Sequence, residues 1–133
     1  MTPSTQKTVI LLLGVTLTFF GFSSLLAAQQ EGPIIEVRVY KVTEGKMDEW
    51  ERYFHEKLVE PQEEAGIKLL NAYRTLKDEN LFVWSRQFSG KTNMAKERAA
   101  FYESDQWQKV LLPELKRRAL MGGIGQVHRW TSA

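Results

Sequence analysis

The chain has no cysteine and only two histidines, His55 and His128, in 133 residues. Without thiols there are no disulfides, cysteine nucleophiles, cysteine-held metals or cysteine-linked lipid anchors. Two histidines at this separation form no recognisable zinc pattern. No Walker sequence, nucleophile elbow or kinase signature is present. Gly122, Gly123 and Gly125 cluster near the end, but without the strand–turn–helix setting of a phosphate loop. No cofactor and no metal are therefore expected. A large charge of one sign is also missing: the net charge is +2, and acidic and basic residues are interspersed. Such balance gives no electrostatic reason to expect a nucleic-acid partner.

Long apolar runs are missing too, with one exception. Residues 8–28 read TVILLLGVTLTFFGFSSLLAA, carry no charge, and follow Lys7. A basic start, an apolar stretch and small residues at the end form the pattern of a secretory signal peptide. The run is also just long enough for an uncleaved membrane anchor. Residues 1–28 are thus read as a signal peptide or N-terminal anchor, and 29–33 as a linker. The domain then spans 34–133. Its expected location is outside the cytoplasm, periplasmic or secreted, and the only expected membrane contact is through residues 8–28 if they are retained. About 105 residues remain after the leader, enough for a modest core burying roughly 65% of the unfolded surface.

Within the domain the periodicity changes from two to about 3.6 and back, twice. Ile34–Val42 alternates as a strand. From Lys46 to Glu64, Met47, Trp50, Phe54, Leu58 and Pro61 recur every three or four residues, which predicts an amphipathic helix ending at Gly66. Residues 67–76 and 81–88 read as a hairpin around Lys77-Asp78-Glu79-Asn80. Residues 94–120 read as two helical pieces. Trp107, Val110, Leu111 and Leu115 form the apolar stripe of the second, with Ser104 or Asp105 as its cap. Gly122, Gly123 and Gly125 read as punctuation before a short strand from Gln126 to Trp130.

The order βαββαβ predicts a ferredoxin-like α+β fold, with a four-stranded antiparallel sheet and two helices on one face. Ile35, Val37, Val39, Leu81, Val83 and Val127 are expected to face the helices. Glu36, Arg38, Tyr40, Trp84, Arg86, His128 and Trp130 are expected to share the opposite face. A second subunit closing on that face would form a chamber lined by aromatic and charged groups. These seven residues are the candidate ligand-binding set. The bland alternative for Glu36, Arg38 and Tyr40 is a Glu–Arg pair fixing dimer register, with Tyr40 as packing.

The segment IEVRVYKVTEGKMDEW, with Glu36, Arg38, Tyr40, Gly45, Asp48, Glu49 and Trp50, resembles the opening of the NIPSNAP domain. LFVWSRQF resembles that family's aromatic third strand, and KERAAFYESDQWQKVLLPEL its second helical region. The resemblance implies a dimeric α+β barrel, a fold shared with cofactor-free monooxygenases, related isomerases and some haem enzymes. It implies no settled activity and no assigned catalytic residue. Three functions follow as expectations: a homodimer binding a small molecule, a cofactor-independent monooxygenase or isomerase acting on an aromatic or enolisable compound, or a structural module consumed by dimerisation. The polar set ranks the third last, because a sealed interface favours apolar residues where Glu36, Arg38 and His128 stand.

Overall fold

A computed structural model describes residues 31–131; the leader read from residues 1–28 lies outside them. No helix among the described residues is long and apolar enough to cross a membrane. Strand β1 (Ile34–Val42) leads through a turn into α1 (Met47–Tyr53), a π-helical segment (Phe54–Leu58) and α2 (Val59–Glu64). Strands β2 (Lys68–Arg74) and β3 (Leu81–Phe88) form the hairpin. Then come α3 (Lys91–Tyr102), a second π-helical segment (Gln106–Leu111), α4 (Leu112–Arg118) and β4 (Met121–Thr131). The strands form one antiparallel sheet in the order β2-β3-β1-β4, which puts β1 beside both β3 and β4.

Local chemistry explains the element ends. Asp48 and Glu49 lie in the first turn of α1, where the helix dipole favours negative charge. Gly66, at φ +89°, ends α2. The amide of Ile67 donates to Gln62 O and that of Gly66 to Glu63 O, both at 2.9 Å. This is a Schellman closure, and its left-handed residue is one that a side chain would strain. The start of α3 takes its cap from far away: Glu31 accepts a 2.7 Å bond from the Thr92 amide. Ser104 Oγ accepts from the Trp107 amide at 3.1 Å, as the sequence predicts. Pro113 is the second residue of α4 and follows directly on the π-helical segment.

The buried stripe of the first helical layer matches expectation: Met47, Trp50, Phe54, Leu58 and Pro61 are all buried. Phe54, Phe82, Trp84, Trp50 and Tyr40 form a linked aromatic cluster with ring centroids 5.0 to 5.9 Å apart. Three expectations fail. Val110 is 55% exposed, because the π-helical winding around it turns it off the stripe of Leu111 and Leu115. The glycine-rich run does not break the chain but lies inside β4. That strand is eleven residues long and shifts register against β1 twice, between Arg38 and Tyr40 and between Lys41 and Val42. A Cβ at Gly125 would lie 2.9 Å from the Val39 carbonyl, so glycine permits the close approach there.

The third failure concerns the sheet faces. Burial along β1 alternates with Ile34, Glu36, Arg38, Tyr40 and Val42 buried, and along β3 with Phe82, Trp84, Arg86 and Phe88 buried. Glu36, Arg38, Tyr40, Trp84 and Arg86 therefore lie beneath the helices, and Ile35, Val37, Val39, Leu81 and Val83 take the open face. Alternation defines two faces but not which is covered. Here the bulky aromatics and the ion cluster fill the space under the helices, and the β-branched residues are left outside. Val127, opposite Arg38, does lie on the helix side. His128 and Trp130 do not join the other five residues. They pair with Val37 and Ile35 on the open face, stacked on each other with centroids 5.8 Å apart.

Candidate functional site

Glu36 has no solvent exposure and lies among four arginines. Arg38 donates from Nη1 to its Oε1 at 2.8 Å, and Arg86 donates from Nε to the same oxygen at 2.9 Å. Arg129 donates to Oε2 at 2.6 Å and Arg98 at 3.4 Å. Arg86 Nη2 sits 2.7 Å from Oε1, in ionic range but too far off line for a hydrogen bond. Arg86 Nη1 donates to Gln62 Oε1 at 2.7 Å, and Gln62 Nε2 donates to Leu58 O at 2.9 Å. The network thus ties β1, β3, β4 and both helical layers together.

Burial by itself would raise the pKa of Glu36. The guanidinium of Arg86, with hydrogen bonds from Arg38, Arg86 and Arg129, overcomes it and holds the carboxyl at about 2. Tyr40 goes the other way: burial pushes its phenol up, against the pull of Arg38. Arg38 Nε donates to Tyr40 Oη at 2.9 Å, so the phenol hydrogen is left to donate elsewhere.

Above this network lies a cavity of about 610 Å³ between the sheet and the helices. Arg38, Tyr40 and Trp84 form its floor. Leu58 and Gln62 wall it on one side, and α3, the second π-helical segment and α4 wall it on the other, with Met121 contributed by β4. Both π-helical segments therefore border it, through Leu58 and Trp107. Such segments widen a helix locally and recur at functional sites. Trp84 is buried and its indole N–H has no partner among the described residues.

Of the seven residues predicted from sequence, Arg38, Tyr40 and Trp84 line the cavity, and Glu36 and Arg86 support them from below. His128 and Trp130 stand on the far face of the sheet, with His128 Nε2 3.2 Å from Gln126 Oε1. Sequence reasoning missed Gln62, Arg98 and Arg129. Gln62 continues the stripe one turn beyond Leu58. Arg129 is the alternate position between His128 and Trp130, so correct face parity would have found it. No group of acidic and histidine side chains among the described residues could hold a metal ion.

The sequence profile of the NIPSNAP family matches residues 35–124, most of the domain just described. The chain belongs to the NIPSNAP family. Solved structures agree on the fold. A NIPSNAP family protein from Agrobacterium tumefaciens strain C58 superposes with a TM-score of 0.65 at 20% identity, covering 77% of this chain and 88% of its own. An uncharacterized NIPSNAP-like domain protein from Burkholderia xenovorans gives 0.65 at 17% identity, covering 77% and 87%. A candidate antibiotic biosynthesis monooxygenase from Chloroflexus aurantiacus gives 0.55 at 14% identity, covering 76% and 93%. No curated protein matches the chain. At these identities the structures speak for the fold of this NIPSNAP domain alone.

Proposed function

We propose that this NIPSNAP domain binds a small organic molecule in the cavity between its own sheet and helices. The observation that carries this reading is a half-open, mostly apolar cavity of about 610 Å³ with a few polar groups in its lining. That combination is the usual form of a small-molecule site. The chamber moves from between two subunits, where the sequence placed it, to the inside of one. Leu112 lines the cavity and is only partly buried, so Leu112→Trp fills space without breaking the core. Native mass spectrometry of protein purified from its own host should show a co-purifying small molecule, lost in Leu112→Trp. A folded wild-type protein that carries no such mass, and binds nothing from a small-molecule library, would count against the reading.

The open face supports a second part of the proposal, a homodimer. It carries Ile35, Val37, Val39, Leu81 and Val83, with Tyr73 61% and Trp130 53% exposed. An apolar sheet face of this kind is the surface a second copy would cover. The pattern of residues 1–28 supports export of that dimer, and intact mass would report whether the leader is removed.

A catalytic alternative, an oxygenase or isomerase without cofactor, is favoured by one feature. The Tyr40 phenol borders the cavity with its proton uncommitted and its oxygen held by Arg38. That is the arrangement of a proton donor to an enolate or a phenolate.

A further inference from the structure

Resting on the small-molecule reading, we infer that the ligand is an anion, a carboxylate with an apolar or aromatic body, docking its charged end on Arg38 and Arg98. The observation is a charge imbalance under the cavity. Arg38, Arg86, Arg98 and Arg129 each have Glu36 as their only acidic partner among the described residues. One carboxylate faces four guanidinium groups, leaving three positive charges unmatched. Arg86 is fully buried and Arg38 is 6% exposed, so water screens neither well. Arg98 and Arg129 are partly open to solvent and need compensation less.

Aromatic faces offset some of this charge. Arg38 lies 5.3 Å from the Tyr40 ring and 5.7 Å from Trp84, and Arg86 lies 5.2 Å from Trp84. A ring quadrupole is weaker than a counter-charge, and a buried cation without one is unfavourable. Arg38 and Arg98 both border the cavity, so the excess charge is presented to its contents. One neutral donor converges with them, the Tyr40 hydroxyl. Acceptor oxygens on the ligand would satisfy all of these groups. Most of the remaining lining is apolar, and Leu58, Phe101, Trp107, Leu112 and Leu115 suit a hydrocarbon body; Gln62 and Lys116 are the polar exceptions. A carboxylate fits this setting better than a phosphate, whose second charge costs more to strip of water.

Calorimetric titration of the full chain with two matched pairs tests the idea: 1-naphthoate against 1-naphthylmethanol, and octanoate against octanol. The acids should bind about tenfold or more tightly than the alcohols, the scale of a charge-assisted hydrogen bond. Arg98→Gln, at a partly exposed position, should reduce that preference by weakening the acids more than the alcohols. Arg38→Gln should do so more strongly. Alcohols binding as well as acids, or a preference untouched in Arg98→Gln, would overturn the anion and leave the cavity reading standing. Tighter binding of 1-naphthyl phosphate than of 1-naphthoate would overturn the carboxylate. Binding of no member of either pair would sink the cavity reading and this inference with it.

Discussion

Glu36 is wholly buried yet charged, because the surrounding arginines favour its carboxylate by more than burial disfavours it. Its pKa falls from 4.5 unfolded to about 2 folded, a difference worth on the order of 3 kcal/mol at neutral pH. A depressed pKa means that this stabilisation is complete above the unfolded pKa and is lost as pH falls from about 4.5 to about 2. Glu36→Gln should cost about 3–5 kcal/mol at pH 7, since it strands four guanidinium groups together. Urea melts should show the gap between wild type and variant closing on acidification through that window. A gap independent of pH would mean that Glu36 acts by shape and not by charge. The same residue shows what was legible early. The triplet Glu36, Arg38 and Tyr40 was visible as a set, because period-two spacing places its members on one face. That Arg98 and Arg129 complete the set was not visible, since they arrive from distant elements.

Among the elements, β4 departs most from its sequence. Gly122, Gly123 and Gly125 look like a break, yet the strand runs through them with two register shifts. The glycines serve a ladder that bulges against β1, where a Cβ at Gly125 would press on Val39 O. Gly125→Val should therefore loosen the β1–β4 pairing and destabilise by about 1–3 kcal/mol. Amide hydrogen exchange should locate the lost protection in Ile35–Val39 and Gln126–Trp130, with β2 and β3 unaffected. Protection lost evenly across the sheet would argue against a local cause. The helices were easier to read. A 3.6-residue stripe and the stop at Gly66 suffice for α1 and α2, because those signals are local. The π-helical segments escape such reading. They arise where a helix must widen to fit its packing, and they turned Val110 outward against its spacing.

The molecule as a whole has two sheet faces of different character. The covered face holds the cavity and the arginine cluster, and the open face holds the β-branched residues with Tyr73 and Trp130. Val37 sits mid-strand on the open face, away from the cavity, so Val37→Glu tests the dimer separately from binding. Sedimentation should show a dimer for the wild type and a monomer for Val37→Glu, with ligand affinity changed less than about threefold if the cavity belongs to one subunit. A wild type that sediments as a monomer would remove the dimer. A monomeric variant with no binding left would return the chamber to the space between subunits.

The sequence by itself determined the order of elements, the hairpin, the buried stripe of the first helical layer and the grouping of five site residues on one side of the sheet. These follow from periodicity and turn chemistry, which act over a few residues. Only the tertiary structure decided which side the helices cover, that His128 and Trp130 stand apart, and that four arginines share Glu36. Each of these depends on how distant segments fill a common volume, and alternation along a strand is symmetric under exchange of its two faces.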